Sequence, residues 1–143
     1  MLFADPGPLY RHATAAIVAA DGGLAPAEAM FSALVEVGER LAEIAEQPDR
    51  RRRVIAASPE LREREQHKLA DLTAAVASGL VQRGLPAAEA DVVARVGLAI
   101  FSSAWNRWVE VGGEDTFSTI FAAKLETVRS LAAPGSPGDR RSS

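Results

Sequence analysis

The chain has no cysteine in 143 residues, which excludes a disulfide framework, a thiolate metal site and a cysteine nucleophile. Histidine is nearly as scarce: His12 and His67 are the pair present, and no glycine-rich turn joins a strand to a helix. No catalytic constellation, metal site or cofactor site can be assembled from this inventory, and we expect a protein that is not an enzyme. Long apolar runs are missing too. The longest uncharged stretches, Leu72 to Gln82 and Val96 to Asn106, fall well short of the roughly 20 residues a bilayer requires. No basic flank followed by an apolar signal core opens the chain, so a soluble cytoplasmic protein is the expectation. β-Branched residues never alternate with polar ones over a useful length, which removes strands from consideration. A net charge of −3 argues against the whole chain binding nucleic acid.

Alanine, leucine, glutamate and arginine dominate at helical spacing, so the fold class is all-α, with about six helices in an antiparallel bundle. Leu9, Ala13, Ala16, Ile17 and Ala20 form a first apolar stripe, bordered by His12 and ended by Asp21-Gly22-Gly23. Pro26 suits the first turn of a second helix in which Met30, Leu34, Val37 and Leu41 share one face, Phe31 and Gly38 flank it, and Glu36, Glu39 and Glu43 face water. Arg50 to Arg53 begin a short helix over residues 50–57, best read as a solvated element beside the acidic second helix. Ser58-Pro59 restarts the chain into a long helix ending at Gly84, with Leu61, Leu69, Leu72, Val76 and Leu80 inward and His67 outward. Within it Glu65 falls on the apolar side, where a partner cation or a polar ligand is needed.

The stretch from Pro86 to Leu131 organises the rest. Its first helix is apolar nearly all round, and one 143-residue domain can cover such a helix on one side only. The second side calls for a second copy, approached closely over small residues. Asp115 is the expected N-cap of the last helix, in which Phe117, Ile120, Phe121, Leu125 and Val128 recur. The two helices form a hairpin that is core on one face and dimer interface on the other, a four-helix bundle across the dimer. Residues 1–133 make the domain, and 134–143 are expected to be a disordered tail.

The run Arg53-Val54-Ile55-Ala56-Ala57-Ser58-Pro59-Glu60-Leu61-Arg62-Glu63-Arg64-Glu65, the long helix after it, and Trp105-Asn106-Arg107-Trp108 before Gly112-Gly113 resemble the C-terminal domain of the tetracycline-repressor (TetR) family of transcriptional regulators. The resemblance implies a bundle that binds a small hydrophobic effector and dimerises through its last two helices. Together with the helical wheels it nominates His12, Phe31, Leu34, Glu65, Leu69, Asn106 and Arg107 for the ligand; Arg107 can pair with Glu65, as a polar anchor if the two are buried together, or with Glu110. It nominates Gly97, Phe101, Ala104, Trp105, Trp108, Phe117 and Phe121 for dimerisation. In that family DNA is bound by a helix-turn-helix head ahead of this domain, and residues 1–143 carry no such head. The expected partners are therefore a second copy and the effector, with DNA reached only through that head. A competing reading is a headless interaction module that pairs with full-length relatives. A ligand response of the homodimer favours the first reading, and exchange into a relative without one favours the second.

Overall fold

The computed structural model describes residues 7–44 and 59–132, and the regular structure among them is entirely helical. In order the helices are α1 Gly7–Ala19, α2 Pro26–Ile44, α3 Pro59–Gln82, α4 Ala87–Glu110 and α5 Phe117–Ala132. The expected short helix over 50–57, the Ser58 cap and the tail from 134 lie outside the described residues.

Each boundary has a local cause. Proline opens α2 and α3 because its fixed φ suits a first turn and its missing N–H is not needed there. At the end of α3, Gly84 turns to φ +114°, and the Leu85 N–H then reaches Leu80 O at 3.0 Å while the Gly84 N–H reaches Val81 O at 2.9 Å. These bonds satisfy carbonyls that a helix end otherwise leaves open. Gly112 and Gly113 repeat the device after α4, with φ of +67° and +80°. The start of α5 corrects an expectation: its cap is Thr116, not Asp115, because the Thr116 hydroxyl accepts the Thr119 N–H at 3.1 Å. A second acceptor comes from another helix, since Glu39 Oε2 accepts the Ser118 N–H at 2.8 Å and places an anion at the positive end of α5.

Side-chain contacts set the relative directions. Tyr10 bonds Lys68 O, Thr14 bonds Ala75 O, and Ile17 packs on Gly79, so α1 and α3 run parallel. Helix α5 runs antiparallel to α2, with Ser118 at Glu39 and Arg129 at Glu28. Helices α1, α2, α4 and α3 pack in a ring in that order, and α5 lies outside it against α2 and α4. Across the ring, α1 does not reach α4 among the described residues.

The interior is apolar. Ala13 and Ile17 from α1, Met30, Leu34 and Val37 from α2, Leu72, Val76 and Leu80 from α3, and Ala90, Ala94 and Leu98 from α4 are all buried. No polar or charged residue is buried among the described residues. Beside this ring lies an aromatic cluster. Phe101 and Phe117 have ring centroids 5.2 Å apart, Phe117 and Phe121 5.9 Å, and Trp105 and Trp108 5.0 Å, all within the range of attractive tilted packing. Gly38 makes this possible, because a Cβ there would lie 2.1 Å from the Phe117 ring. Helix α2 therefore lies directly on the start of α5.

Candidate functional site

The ring of α1, α2, α4 and α3 is one place where this fold could enclose a small molecule, and the outer surface of α4 and α5 is a place where it could meet another chain. At the end of the ring formed by the turns, Arg83 donates to four main-chain carbonyls. Its Nη1 reaches Ile17 O at 3.1 Å and Ala20 O at 2.8 Å, and its Nη2 bonds Asp21 O and Leu24 O at 2.9 Å. The first three acceptors belong to the last turn of α1 and the residues just after it, whose carbonyls have no helical partner. One side chain just past the end of α3 thus caps α1 and fixes the turn into α2. Nothing in the sequence pattern singled this residue out, since an arginine just after a helix end reads as a dipole complement.

At the other end, half-buried Leu41 and Leu69 pack against the core. His12 sits on the seam between α1 and α2, with its side chain 30% exposed and Nε2 3.3 Å from Glu36 Oε1. The Nε2 atom itself is buried, yet the approach to Glu36 lacks hydrogen-bond geometry. The two side chains lie close together without a hydrogen bond between them.

The residues nominated for a ligand do not converge on one point. Leu34 and Leu69 contribute to the ring's core, Leu34 fully and Leu69 in part, and His12 lies at its α1–α2 edge. Phe31 belongs to a different seam, with its ring 6.3 Å from that of Phe121 and the Arg129 guanidinium 5.9 Å from its centroid. Asn106 and Arg107 are exposed on the outer face of α4. Arg107 pairs with Glu110 at 3.3 Å, one turn along its own helix, which leaves it outside the bundle interior where a buried pair with Glu65 would lie. The Glu65 side chain lies outside the described residues.

The residues nominated for dimerisation are also relocated. Gly97, Phe101, Ala104, Trp108, Phe117 and Phe121 are buried inside this chain, and Trp105 is half-buried beside Trp108 and Phe117. Gly97 shows why: the Met30 Sδ occupies the space where its side chain would be, 2.6 Å from an added Cβ. The outward face of α4 is carried instead by Val92, Val96, Ala99 and Ser103, one or two turns apart along one side. Val92 is 60% exposed and Val96 43%. On α5 the outward residues include Ala122, Ala123, Thr127 and Leu131, the last 82% exposed. The stripe Val92, Val96, Ala99 and Ser103 is uncharged and its side chains are small, which permits close approach of another helix, with Arg95, Arg107 and Glu110 exposed around it.

Among the described residues no group of acidic or histidine side chains could hold a metal ion, and no helix is long and apolar enough to cross a membrane. No curated protein matches the chain at a significant level. A family model does: the TetR C-terminal family described as the MftR C-terminal domain matches residues 24–133.

Proposed function

Because the chain belongs to this family of TetR-type regulator C-terminal domains, a regulatory and not an enzymatic family, we propose that it is the effector-binding and dimerisation domain of a transcriptional regulator. The match over residues 24–133 carries the reading, since it spans α2 to α5 and thus three of the ring's four helices as well as the outer face of α4 and α5. The proposed partner is a second copy of the chain. It is supported by exposed Val92, Val96 and Leu131 on helices whose opposite sides are already filled by the chain's own core. The proposed effector is small and hydrophobic, because the fully buried side chains of the ring are apolar among the described residues and a lipophilic molecule gains by replacing those contacts. Leu34 and Leu69 are the lining residues retained from the sequence, with His12 as a polar group at the edge. DNA contact and a cytoplasmic location belong to the same proposal, DNA being reached through a head domain of the regulator.

A thermal-shift screen of fatty acids, acyl thioesters and polycyclic aromatics against the purified chain tests the effector role. At least one class should raise the melting temperature in a concentration-dependent way, as any ligand that binds the native state alone must. Leu69→Trp, which fills the half-buried end of the ring, should remove that shift while leaving the oligomeric state unchanged. No stabilising compound across the library would remove the effector role and leave pairing as the function.

A further inference from the structure

The features at the ends and edges of the ring that could receive an ion are occupied by the chain's own groups. The Arg83 guanidinium is spent on the carbonyls of Ile17, Ala20, Asp21 and Leu24. Lys68, half-buried on α3, has partners of its own. Helix N-termini attract anions, yet α2, α3 and α4 each carry a glutamate in the first turn, Glu28, Glu60 and Glu89, and the start of α5 is held by Glu39. An anion brought to His12 meets Glu36, whose Oε1 lies 3.3 Å from Nε2. The hydroxyls of Tyr10, Thr14 and Thr73 donate to Lys68 O, Ala75 O and Leu69 O at 3.1, 2.9 and 2.7 Å. A cation is provided for no better, since Glu28 pairs with Arg129 and no acid is buried among the described residues.

We infer that the effector taken into the ring is uncharged: a lipophilic alcohol, ester or ring compound, and neither a carboxylate nor an amine cation. The inference rests on the effector-binding reading and narrows its ligand class. An ion moved from water into apolar surroundings loses its hydration, and the loss is recovered only through a counter-ion or several hydrogen bonds. Among the described residues the buried side chains of the ring supply neither, so charge on the ligand lowers its affinity whichever the sign. A neutral hydroxyl loses far less on the same transfer, and the carbon skeleton gains by leaving water in every case. Hydrophobic character alone would admit fatty acids and lipophilic amines, which are ionised at neutral pH. The way the ring's polar groups are spent selects against both.

Three probes that share one compact skeleton and differ in charge test this: naphthalenemethanol, naphthoate and naphthylmethylammonium. Each is titrated into the native chain at neutral pH and physiological salt, and its dissociation constant is taken from the concentration dependence of the melting temperature. Because the skeleton is compact, an ionised group must enter the ring with it. The alcohol should bind at least about tenfold tighter than either ion. Leu69→Trp, with unchanged circular dichroism, should remove the alcohol's shift, and an undiminished shift would place the alcohol outside the ring and overturn the inference. Decanol, decanoate and decylammonium repeat the comparison if the naphthalene skeleton does not bind. Either ion binding as tightly as its alcohol would overturn the uncharged class and leave the effector reading standing. No binding by either alcohol would also overturn it, and silence across the whole screen of lipids and aromatics would remove the effector reading as well.

Discussion

Around α2, α4 and α5 the bundle is held by aromatic shape, while α1 is held on α3 by side chains that grip the main chain. Every described phenylalanine and tryptophan lies on α2, α4 or α5, and Phe117 seats its ring against Gly38 with no space to spare. The α1–α3 contact has valine, leucine, isoleucine and alanine with Tyr10, Thr14 and Arg83 bonding carbonyls. Interlocked rings resist displacement in every direction, because the interior is close-packed and any shift costs contacts. Bonds from a few side chains hold α1 and α3 in register, and the contact of α1 with α2 is made by apolar packing. The aromatic half is therefore the more tightly interlocked of the two, and it carries the outer face of α4 and α5.

The largest effect should come from Phe117→Ala. It removes a fully buried ring at the junction of α2, α4 and α5 and should cost about 3–5 kcal/mol by chemical denaturation. A loss under about 1 kcal/mol would mean the aromatic half is not the more tightly interlocked one. Gly38→Ala comes next. Helix propensity favours alanine by about 1 kcal/mol, but the Phe117 ring must give way, and overpacking of this kind costs about 1–3 kcal/mol. Net destabilisation is expected, and a stabilised variant would show that the ring can relocate freely. Thr116→Ala should cost about 1 kcal/mol through loss of the α5 cap, with Glu39 still supplying the second acceptor. Arg129→Ala is the mildest. Its ion pair with Glu28 at 2.6 Å is about half exposed on both sides, so solvent screening limits it to about 0–1 kcal/mol.

How much of this was legible in the sequence differs by residue type. Prolines at 26 and 59 and the glycines at 84, 112 and 113 marked helix limits because their backbone restrictions act locally. The amphipathic α2 gave its inward face correctly, since its glutamates leave one orientation possible. Helix α4 did not. It is small and apolar on both sides, so periodicity cannot tell which face meets the chain's own core and which meets a partner. That decision was made by Met30 and Leu34, which fill the groove beside Gly97 from α2. The Arg83 clamp and the Glu39 cap were equally invisible, because each acts on carbonyls or N–H groups far away in sequence. Asn106 and Arg107 were nominated from their place near the end of α4, but both are exposed, and of the two partners the sequence offered Arg107 the structure pairs it with Glu110. The family match covers α2 to α5 and leaves α1 outside, although α1 completes the ring.

The central claim is that the outer face of α4 and α5, carried on the aromatic half, pairs two copies of the chain. Ala99 lies midway along the exposed stripe between Val96 and Ser103, and an arginine there would place an unpaired charge in the proposed contact. Light scattering coupled to size exclusion at micromolar concentration, run on the native chain and on Ala99→Arg, tests it directly. The account predicts twice the 15.1 kDa chain mass for the native protein and the single mass for the variant, with identical helical circular dichroism. A native monomer, or a variant that stays dimeric, would contradict it.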